Sequence, residues 1–587
     1  MTPPEQKGQL SRTANERRLM SRSDEEILQE LDLRLNYRIG WPKPLPVLPL
    51  RETPILDVAE YMVDFYAASR QIRTICDVEH VACAFDSPRL VYRHHYDCPP
   101  TEEDVTIVID SQVGQTPWTN ALKEVRRYLA REHIDYRIEF IDSQVAIPGT
   151  HTILPNDPIV TLWEDMYRPQ VMSLIQDTQW QTMDVFHRGN SPQRSDCPVT
   201  IVITAWDASE DAWWEDLLPR IHQLWPHAVE LFSANNIWAM DLDVHASARM
   251  LTDATIGGPI QLGTSVGIKG ERGGGTLGGV LELQGRDGTI RKMGLTNHHV
   301  ALDTRLDSVT DRNTPLLPSH GLSRQQTLVM TAPCDSDTEA WIQAIDEGID
   351  RLEKVAHGDP AQPDRPGLEA RVSRGAESKR PELERILHLM TEAETRKECI
   401  KSFDRTAGFV AASSGNRSIS MNGKCWPLDW ALVELHPKRS MTNTVVDAPP
   451  TSLMNAYNAM EIQNWSTSAS LMDLAAFKKG KTTGWTEGTV NSIKTDLRLT
   501  REKGNTRTDV YGRPVSAWSI PTSSKATTKF ASKGDCGSLI LDDDKSIIGL
   551  LFAANPACGT GYFIPFHVII ADIEAVTGAK VVNLSEA

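Results

Sequence analysis

The sequence has no CxxC pair and no long hydrophobic run, and these absences exclude several classes of protein. Its nine cysteines are scattered and odd in number, which argues against zinc and disulfide frameworks and favours a reducing compartment. No apolar run approaches the roughly 20 residues of a membrane span. Residues 1–24 are polar and charged, so we expect no secretory signal and a cytoplasmic location.

Positive charge is also scarce. The 587 residues carry 61 Lys and Arg against 78 Asp and Glu, a net charge of −17, which argues against nucleic acid or a membrane as partner. Neither of the two predicted strand–helix turns within residues 51–245 carries a G-x-G-x-x-G pattern or a Walker sequence, so no nucleotide cofactor is indicated. His94 and His95 are adjacent on a predicted strand and point to opposite faces, so we expect no metal site.

The chain is too long for a single core, and its pattern changes along its length. Residues 1–50 are predicted to be a disordered and linker region: 1–24 are disordered, a short helix lies between Asp24 and Leu35, and residues 41–46 form a proline-rich linker. Within 51–245, Val105–Ile109 recurs identically as Val199–Ile203. Each copy is followed by a helical and then a β-rich segment, which predicts an α/β module with a strand–helix–strand repeat and parallel strands. We expect this α/β module to regulate the rest of the protein or to recognise a partner. The alternative is a scaffold that only packs against the remainder of the chain.

From residue 250 onward, glycine-rich turns separate short alternating strands, which is the pattern of β-hairpins and barrels. The pattern is interrupted at 335–405, where Trp341, Ile342 and Ile345 begin a helical spacing of apolar residues. The sequence therefore predicts a β-rich domain made of 250–334 and 406–587, with a helical insertion at 335–405.

Three motifs in the β-rich part carry the chemistry of acyl transfer. They are Gly294–Val300 (GLTNHHV), Leu428–Leu435 (LDWALVEL) and Lys533–Ile540 (KGDCGSLI). A tight Gly-Asp-Cys-Gly turn presents a nucleophile and lets the N–H groups of Gly534 and Cys536 converge where negative charge develops. A lone His or Asp is more often structural, so the prediction depends on the order His, Asp, nucleophile.

In this order the motifs resemble the trypsin-like peptidases of the chymotrypsin fold. The Thr-Asn-His-His-Val form resembles their intracellular, HtrA-like branch. Residues 534–540 (GDCGSLI), together with residues 481–488 (KTTGWTEG), are also similar to the plant narrow-leaf protease. The resemblance spans roughly 250–575 and implies a double β-barrel and an endopeptidase. It also implies His299 as general base and Asp429 as the carboxylate that orients it.

Cys536 departs from that family, which nearly always carries serine at this position. Three interpretations stay open. Cys536 is a true nucleophile that forms a thiolate–imidazolium pair with His299, or it replaces serine in a serine-type site. Alternatively it marks an inactive relative that binds peptides as a signalling or scaffold protein. An esterase or other acyl hydrolase would share the same three residues.

The resemblance further implies an oxyanion hole and a substrate pocket. The hole would be formed by Gly534, Asp535 and Cys536. The pocket would have Phe530 at its base, six residues before the nucleophile, and walls made by Phe552, Ala553, Ala554 and Gly561. No acidic residue is in this set, so a small or aliphatic substrate side chain is expected. The expected partners are a protein or peptide substrate and a regulatory protein acting through the N-terminal module.

Overall fold

The chain has a mixed α/β architecture with several separate sheets. The computed structural model describes residues 23–96, 98–113, 115–234, 237, 251, 255–301, 314–362, 365–445, 460–462, 464–503, 506–522 and 529–583. It divides into two units, the first made of 1–151 and 156–236 and the second of 152–155 and 237–587. Within the described residues, we find no helix with both the length and the hydropathy needed to cross a bilayer.

The first unit contains two sheets. In spatial order, one sheet has strands Asp32–Leu35, Arg38–Trp41, Arg137–Ile141, Val105–Asp110, Arg89–His94 and Arg51–Pro54. The other has Ala228–Ser233, Val199–Ala205, Trp180–Gly189 and Gly149–His151. The described α-helices are Asp24–Gln29, Val58–Tyr61, Phe65–Val78, Gln115–Arg131, Ser143–Ala146, Pro158–Leu162, Arg168–Ile175 and Leu218–Leu224.

The repeated pentapeptide starts a parallel strand pair in each copy. Val105–Asp110 pairs with Arg137–Ile141, and Val199–Ala205 pairs with Ala228–Ser233. The two copies lie in different sheets, and each parallel pair has antiparallel strands beside it. The sheets are therefore mixed, because the chain returns through hairpins as well as through helices.

The short helix predicted between Asp24 and Leu35 is present as Asp24–Gln29, whereas the strands Asp32–Leu35 and Arg38–Trp41 were not predicted in this region. Arg38–Trp41 pairs antiparallel with Arg137–Ile141, and Ile39 on it is fully buried. A strand of four residues offers too few alternating positions to stand out in a sequence, and the prolines that follow it dominate the local pattern. Residues 1–22 lie outside the described residues.

The second unit also contains two large sheets. One has, in spatial order, Gly275–Thr276, Ser265–Ile268, Val329–Thr331, Thr406–Ser413, Ala431–Leu435, Ile290–Thr296, Gly279–Gln284 and Lys580–Asn583. The other has Thr495–Leu497, Val515–Pro521, Thr560–Pro565, Ser546–Asn555, Leu539–Leu541, Ala475–Gly480 and Gly484–Thr489, with Asn464–Trp465 beside Ser546–Asn555. Small ribbons are formed by Arg417–Met421 with Lys424–Leu428, Thr444–Val445 with Met460–Glu461, and Thr500–Lys503 with Thr506–Asp509.

Both sheets are curled, although the described strands close neither of them into a barrel. Gly275–Thr276 and Gly279–Gln284 are first and seventh in their sheet, yet only two residues separate them in the chain. Because an extended chain covers at most about 3.6 Å per residue, those two strands must approach within roughly 11 Å. The second sheet likewise has consecutive strands, Gly484–Thr489 and Thr495–Leu497, at its two ends.

Helices join the strands of the second unit at His298–Ala301, Leu322–Gln325, Asp335–His357, Leu368–Ser373, Arg380–Ser402 and Phe566–Thr577. The stretch 335–405 contains the two longest of these, which pack against each other through Trp341 and Ile400. Asp335 and Asp337 lie in the first turn of Asp335–His357. Their negative charges stabilise the helix by interacting with the positive end of its dipole. We call Asp335–His357 the first inserted helix.

Candidate active site

His299 and Asp429 meet because their strands are neighbours. The short helix His298–Ala301 follows strand Ile290–Thr296, whose Thr296 pairs with Ala431 just after Asp429. The His299 Nδ1–H donates to Asp429 Oδ2 at 2.6 Å across 130 positions of sequence. The His299 backbone N–H donates to the other carboxylate oxygen at 3.0 Å. Both oxygens of Asp429 are therefore committed to one residue, which fixes the imidazole ring and its tautomer.

The electrostatics of this pair follow from burial and charge. Burial acts to lower the pKa of His299, but the charge and hydrogen bond of Asp429, with smaller contributions from Cys536, raise it to about 10. Burial acts to raise the pKa of Asp429, but the charge and hydrogen bond of His299 hold it below its ordinary value. The pair therefore favours an imidazolium beside a carboxylate.

Cys536 lies on the other side of the imidazole. Its thiol interacts with His299, and this interaction contributes to the raised pKa of His299. The Cys536 Sγ also donates to the backbone oxygen of Phe552 at 3.2 Å. The thiol is 2% exposed. The structure thus brings Asp429, His299 and Cys536 together as one series of interacting side chains.

Residues 533–538, which we call the cysteine turn, have a backbone that requires glycine. Gly534 and Gly537 have φ values of +94° and +97°, which side chains rarely adopt. A Cβ on Gly537 would also lie 2.1 Å from the backbone oxygen of Thr276. Thr276 holds the turn from the neighbouring strand, since its N–H donates to Cys536 O at 2.7 Å.

The backbone of the turn leaves two donors available. Within the described residues, no hydrogen bond uses the N–H of Gly534 or of Cys536. The Asp535 N–H instead donates to Ser532 O at 3.1 Å, so the expectation that Asp535 contributes to an oxyanion hole was wrong. The Cys536 N–H direction is fixed, because Asp535 O in the same planar peptide accepts from the Ser538 hydroxyl at 2.6 Å.

Behind the turn lies a fully buried ion pair. Lys478 Nζ is 3.1 Å from Asp535 Oδ2, and both side chains are 0% exposed. Thr483 supplies two more donors to the same carboxylate, its N–H at 3.1 Å and its hydroxyl at 2.7 Å. Burial lowers the pKa of Lys478, and the charge of Asp535 opposes that shift. The carboxylate next to Cys536 is thus held from several directions.

The residues predicted to form a substrate pocket are all buried. The Phe530 ring fills the space that two glycines leave open. A Cβ on Gly561 would be 3.0 Å from one edge of the ring, and a Cβ on Gly488 would be 3.2 Å from another. On the predicted wall, the Ala554 N–H already donates to Ile237 O at 3.1 Å. The base of this region is therefore apolar and occupied by an aromatic ring.

Several contacts around the site were not predicted from the sequence. Asn297 Nδ2 donates to Asp429 O at 2.6 Å, which anchors the backbone behind the carboxylate. The neighbouring His298 contacts Ser413 Oγ through Nδ1 at 2.9 Å. Lys478 could have been suspected as a charged residue at an inward position of strand Ala475–Gly480.

Comparisons with known proteins give only partial likenesses. No protein family and no curated protein matches the chain. Among solved structures, the chymotrypsin of Cellulomonas bogoriensis is 18% identical, with 30% of this chain and 75% of that chain covered at a TM-score of 0.19. A glutamic acid-specific serine protease is 19% identical, with 30% and 81% covered at a TM-score of 0.18. The Rv3671c protease of M. tuberculosis in its active form is 13% identical, with 30% and 74% covered at 0.16. These TM-scores are too low to carry weight.

The raised pKa of His299 leads to a prediction about stability and pH. Its ordinary pKa is 6.5, and the fold raises it to about 10. Stabilisation by the His299 ion pair is therefore fully present below pH 6.5 and is lost as the pH rises through about 10. We expect the difference in melting temperature between the unchanged protein and His299→Gln to narrow steadily over that range. A difference in melting temperature that stays constant over this pH range would contradict stabilisation by the His299–Asp429 ion pair.

Proposed function

We propose that the second unit is a chymotrypsin-like endopeptidase that hydrolyses peptide bonds by acyl transfer. The observation that carries the proposal is the series Asp429–His299–Cys536 beside the two available N–H groups of the cysteine turn. The curled sheets of the second unit support a double-barrel fold, since each brings its two ends together. An intracellular location and regulation by the first unit remain part of this proposal.

Each residue has a role in the proposed reaction. In the form of the site in which His299 is neutral, the Cys536 thiol gives its proton to His299 Nε2, and the sulfur attacks the carbonyl carbon of the substrate. The N–H groups of Gly534 and Cys536 stabilise the resulting oxyanion. The C–N bond breaks as His299 gives its proton to the leaving amine, and Asp429 stabilises the imidazolium meanwhile.

A water molecule completes the cycle. His299 takes one proton from the water, whose oxygen attacks the thioester carbonyl that Cys536 now carries. The C–S bond breaks, the carboxylic acid leaves, and the proton on His299 returns to the sulfur. Because the Phe530 ring fills the base of the pocket, the substrate residue before the scissile bond is proposed to be small, such as alanine.

A second candidate is an inactive relative that binds peptides. Two observations favour it: cysteine stands at the position of attack, and Ile237 already uses the N–H of Ala554. A cleavage-site profile on a peptide library separates the two candidates. The endopeptidase predicts cleavage after small residues that is lost in Cys536→Ala and kept in Cys425→Ala. Binding of peptides without cleavage by any form would favour the inactive relative.

Replacing Cys536 by serine should leave turnover within about tenfold of the cysteine form, or raise it. Gly534, Asp535, Gly537 and Ser538 keep the serine-type turn, and His299 can remove the proton of a hydroxyl as well. The measurement is kcat/KM of both forms on one alanine-containing peptide at the same pH. A serine form much more than tenfold slower would instead establish a site built around sulfur.

A further inference from the structure

A buried ion pair joins the first inserted helix to the loop at residues 481–482, which lies against the cysteine turn. Asp337, in the first turn of that helix, is 1% exposed, and its two oxygens lie 3.1 and 3.4 Å from Lys481 Nζ, which is 2% exposed. Two buried charges are stable only together, because each would be costly to bury alone. The position of Lys481 is therefore tied to the start of the inserted helix.

Lys481 and its neighbour Thr482 hold the cysteine turn. The Lys481 N–H donates at 3.1 Å to the hydroxyl of Thr276, which itself donates to Gly534 O at 3.0 Å. The Thr482 N–H donates to Asp535 Oδ1 at 2.9 Å. These contacts attach the loop at 481–482 to the turn at consecutive residues.

The hydroxyl of Thr482 acts on one particular peptide group. It donates to Lys533 O at 2.9 Å. Lys533 O and the Gly534 N–H belong to the same planar trans peptide and point in opposite directions. Fixing the carbonyl therefore fixes the direction of the Gly534 N–H, one of the two available donors of the turn. If this peptide rotated, that donor would turn away.

We propose that Asp337 and Thr482 are positioning residues for the oxyanion hole, with Asp337 acting through Lys481, so that the helical insertion determines whether the Gly534 N–H points into the site. This inference rests on the proposed acyl-transfer function. It makes the insertion part of the active machinery rather than a separable addition, since its first turn is buried against the loop at 481–482.

The expected kinetic effect is specific. An oxyanion hole acts mainly in the transition state, so its loss lowers kcat and leaves KM nearly unchanged. We expect Thr482→Val, which removes only the hydroxyl, to lower kcat by about 10- to 100-fold, below the 10²–10³ for deleting a donor outright. Asp337→Asn should lower kcat at least tenfold, and Asp337→Glu should restore most of it. The matched control is Asp346→Asn on the same helix, which removes an ion pair with Lys397 of the helix Arg380–Ser402.

A pair of reagents tests positioning apart from folding. A peptide aldehyde ending in alanine forms a tetrahedral adduct on Cys536 that needs the oxyanion hole, whereas a small disulfide needs only the thiol. We expect the ratio of the aldehyde rate to the disulfide rate to fall at least tenfold in Thr482→Val and in Asp337→Asn. The same ratio should be unchanged in Asp346→Asn. Melting temperatures are measured alongside, and if Asp337→Asn does not fold, Thr482→Val decides.

The outcomes are distinguishable. If the unchanged protein neither cleaves peptides nor reacts with the aldehyde, the proposed function fails. If the unchanged protein does both and the folded variants keep its ratio of rates, the function stands and the positioning role of Thr482 and Asp337 is refuted. A rise in KM with kcat unchanged, or an equal loss of rate with both reagents, would also refute it.

Discussion

Replacing Asp429 by asparagine should lower kcat/KM for a peptide substrate by about 10³- to 10⁴-fold while leaving the fold intact. The carboxylate accepts from both the ring and the backbone of His299, and it is fully buried. An amide of the same shape keeps the packing but cannot stabilise the imidazolium, and its NH₂ group favours the wrong tautomer.

The measurement is steady-state turnover at neutral pH, with Asp543→Asn as a control for loss of an exposed carboxylate. We expect kcat and kcat/KM to fall by the same factor, because Asp429 acts on His299 rather than on the substrate. A loss smaller than tenfold would mean that His299 works without an orienting carboxylate, and the proposed roles would then be wrong.

Replacing Lys478 by methionine should destabilise the cysteine turn by about 3–5 kcal/mol, because it leaves the Asp535 carboxylate buried without a cation. Activity should fall with it, since Asp535 lies between Gly534 and Cys536, the two residues whose N–H groups are available. The hydrogen bonds from Thr483 remain, but they cannot replace a positive charge at 3.1 Å.

Hydrogen exchange of peptides covering residues 533–538, followed across a urea series, reports the stability of this turn directly. The double variant Lys478→Met with Asp535→Asn should regain part of the lost stability, because no unpaired charge is left. It should not regain activity if the carboxylate shapes the turn. A loss below about 1 kcal/mol in the single variant would show that the pair contributes little.

The sequence predicts the parts of this molecule whose signals are local. The His, Asp and Cys motifs each have a strand and turn pattern of their own, and their order led to residues that the fold brings together. The identical pentapeptides at Val105 and Val199 likewise indicated two parallel strand pairs. In both cases the residues that matter are adjacent in the chain to the pattern that reveals them.

The supporting contacts could not be predicted, because they join distant segments. Lys478 meets Asp535 across 57 positions, and Lys481 meets Asp337 across 144. The inward position of Lys478 on its strand and the motif that begins at Lys481 mark these lysines as unusual, but neither feature indicates which carboxylate each one meets. The motif alone placed Asp535 in the oxyanion hole, whereas the Asp535 N–H donates to the nearby backbone oxygen of Ser532. Such details depend on backbone direction, which a sequence pattern does not specify.

The central claim is that Cys536 forms a covalent acyl intermediate, and mass spectrometry tests it most directly. The protein is mixed with an activated peptide ester that carries alanine at the reacting carbonyl, quenched with acid within seconds and digested. We predict an added acyl mass on Cys536 that disappears as the ester is consumed and is absent in His299→Ala. An unmodified Cys536 during ester turnover, or acylation only of an exposed cysteine such as Cys399, would contradict the account.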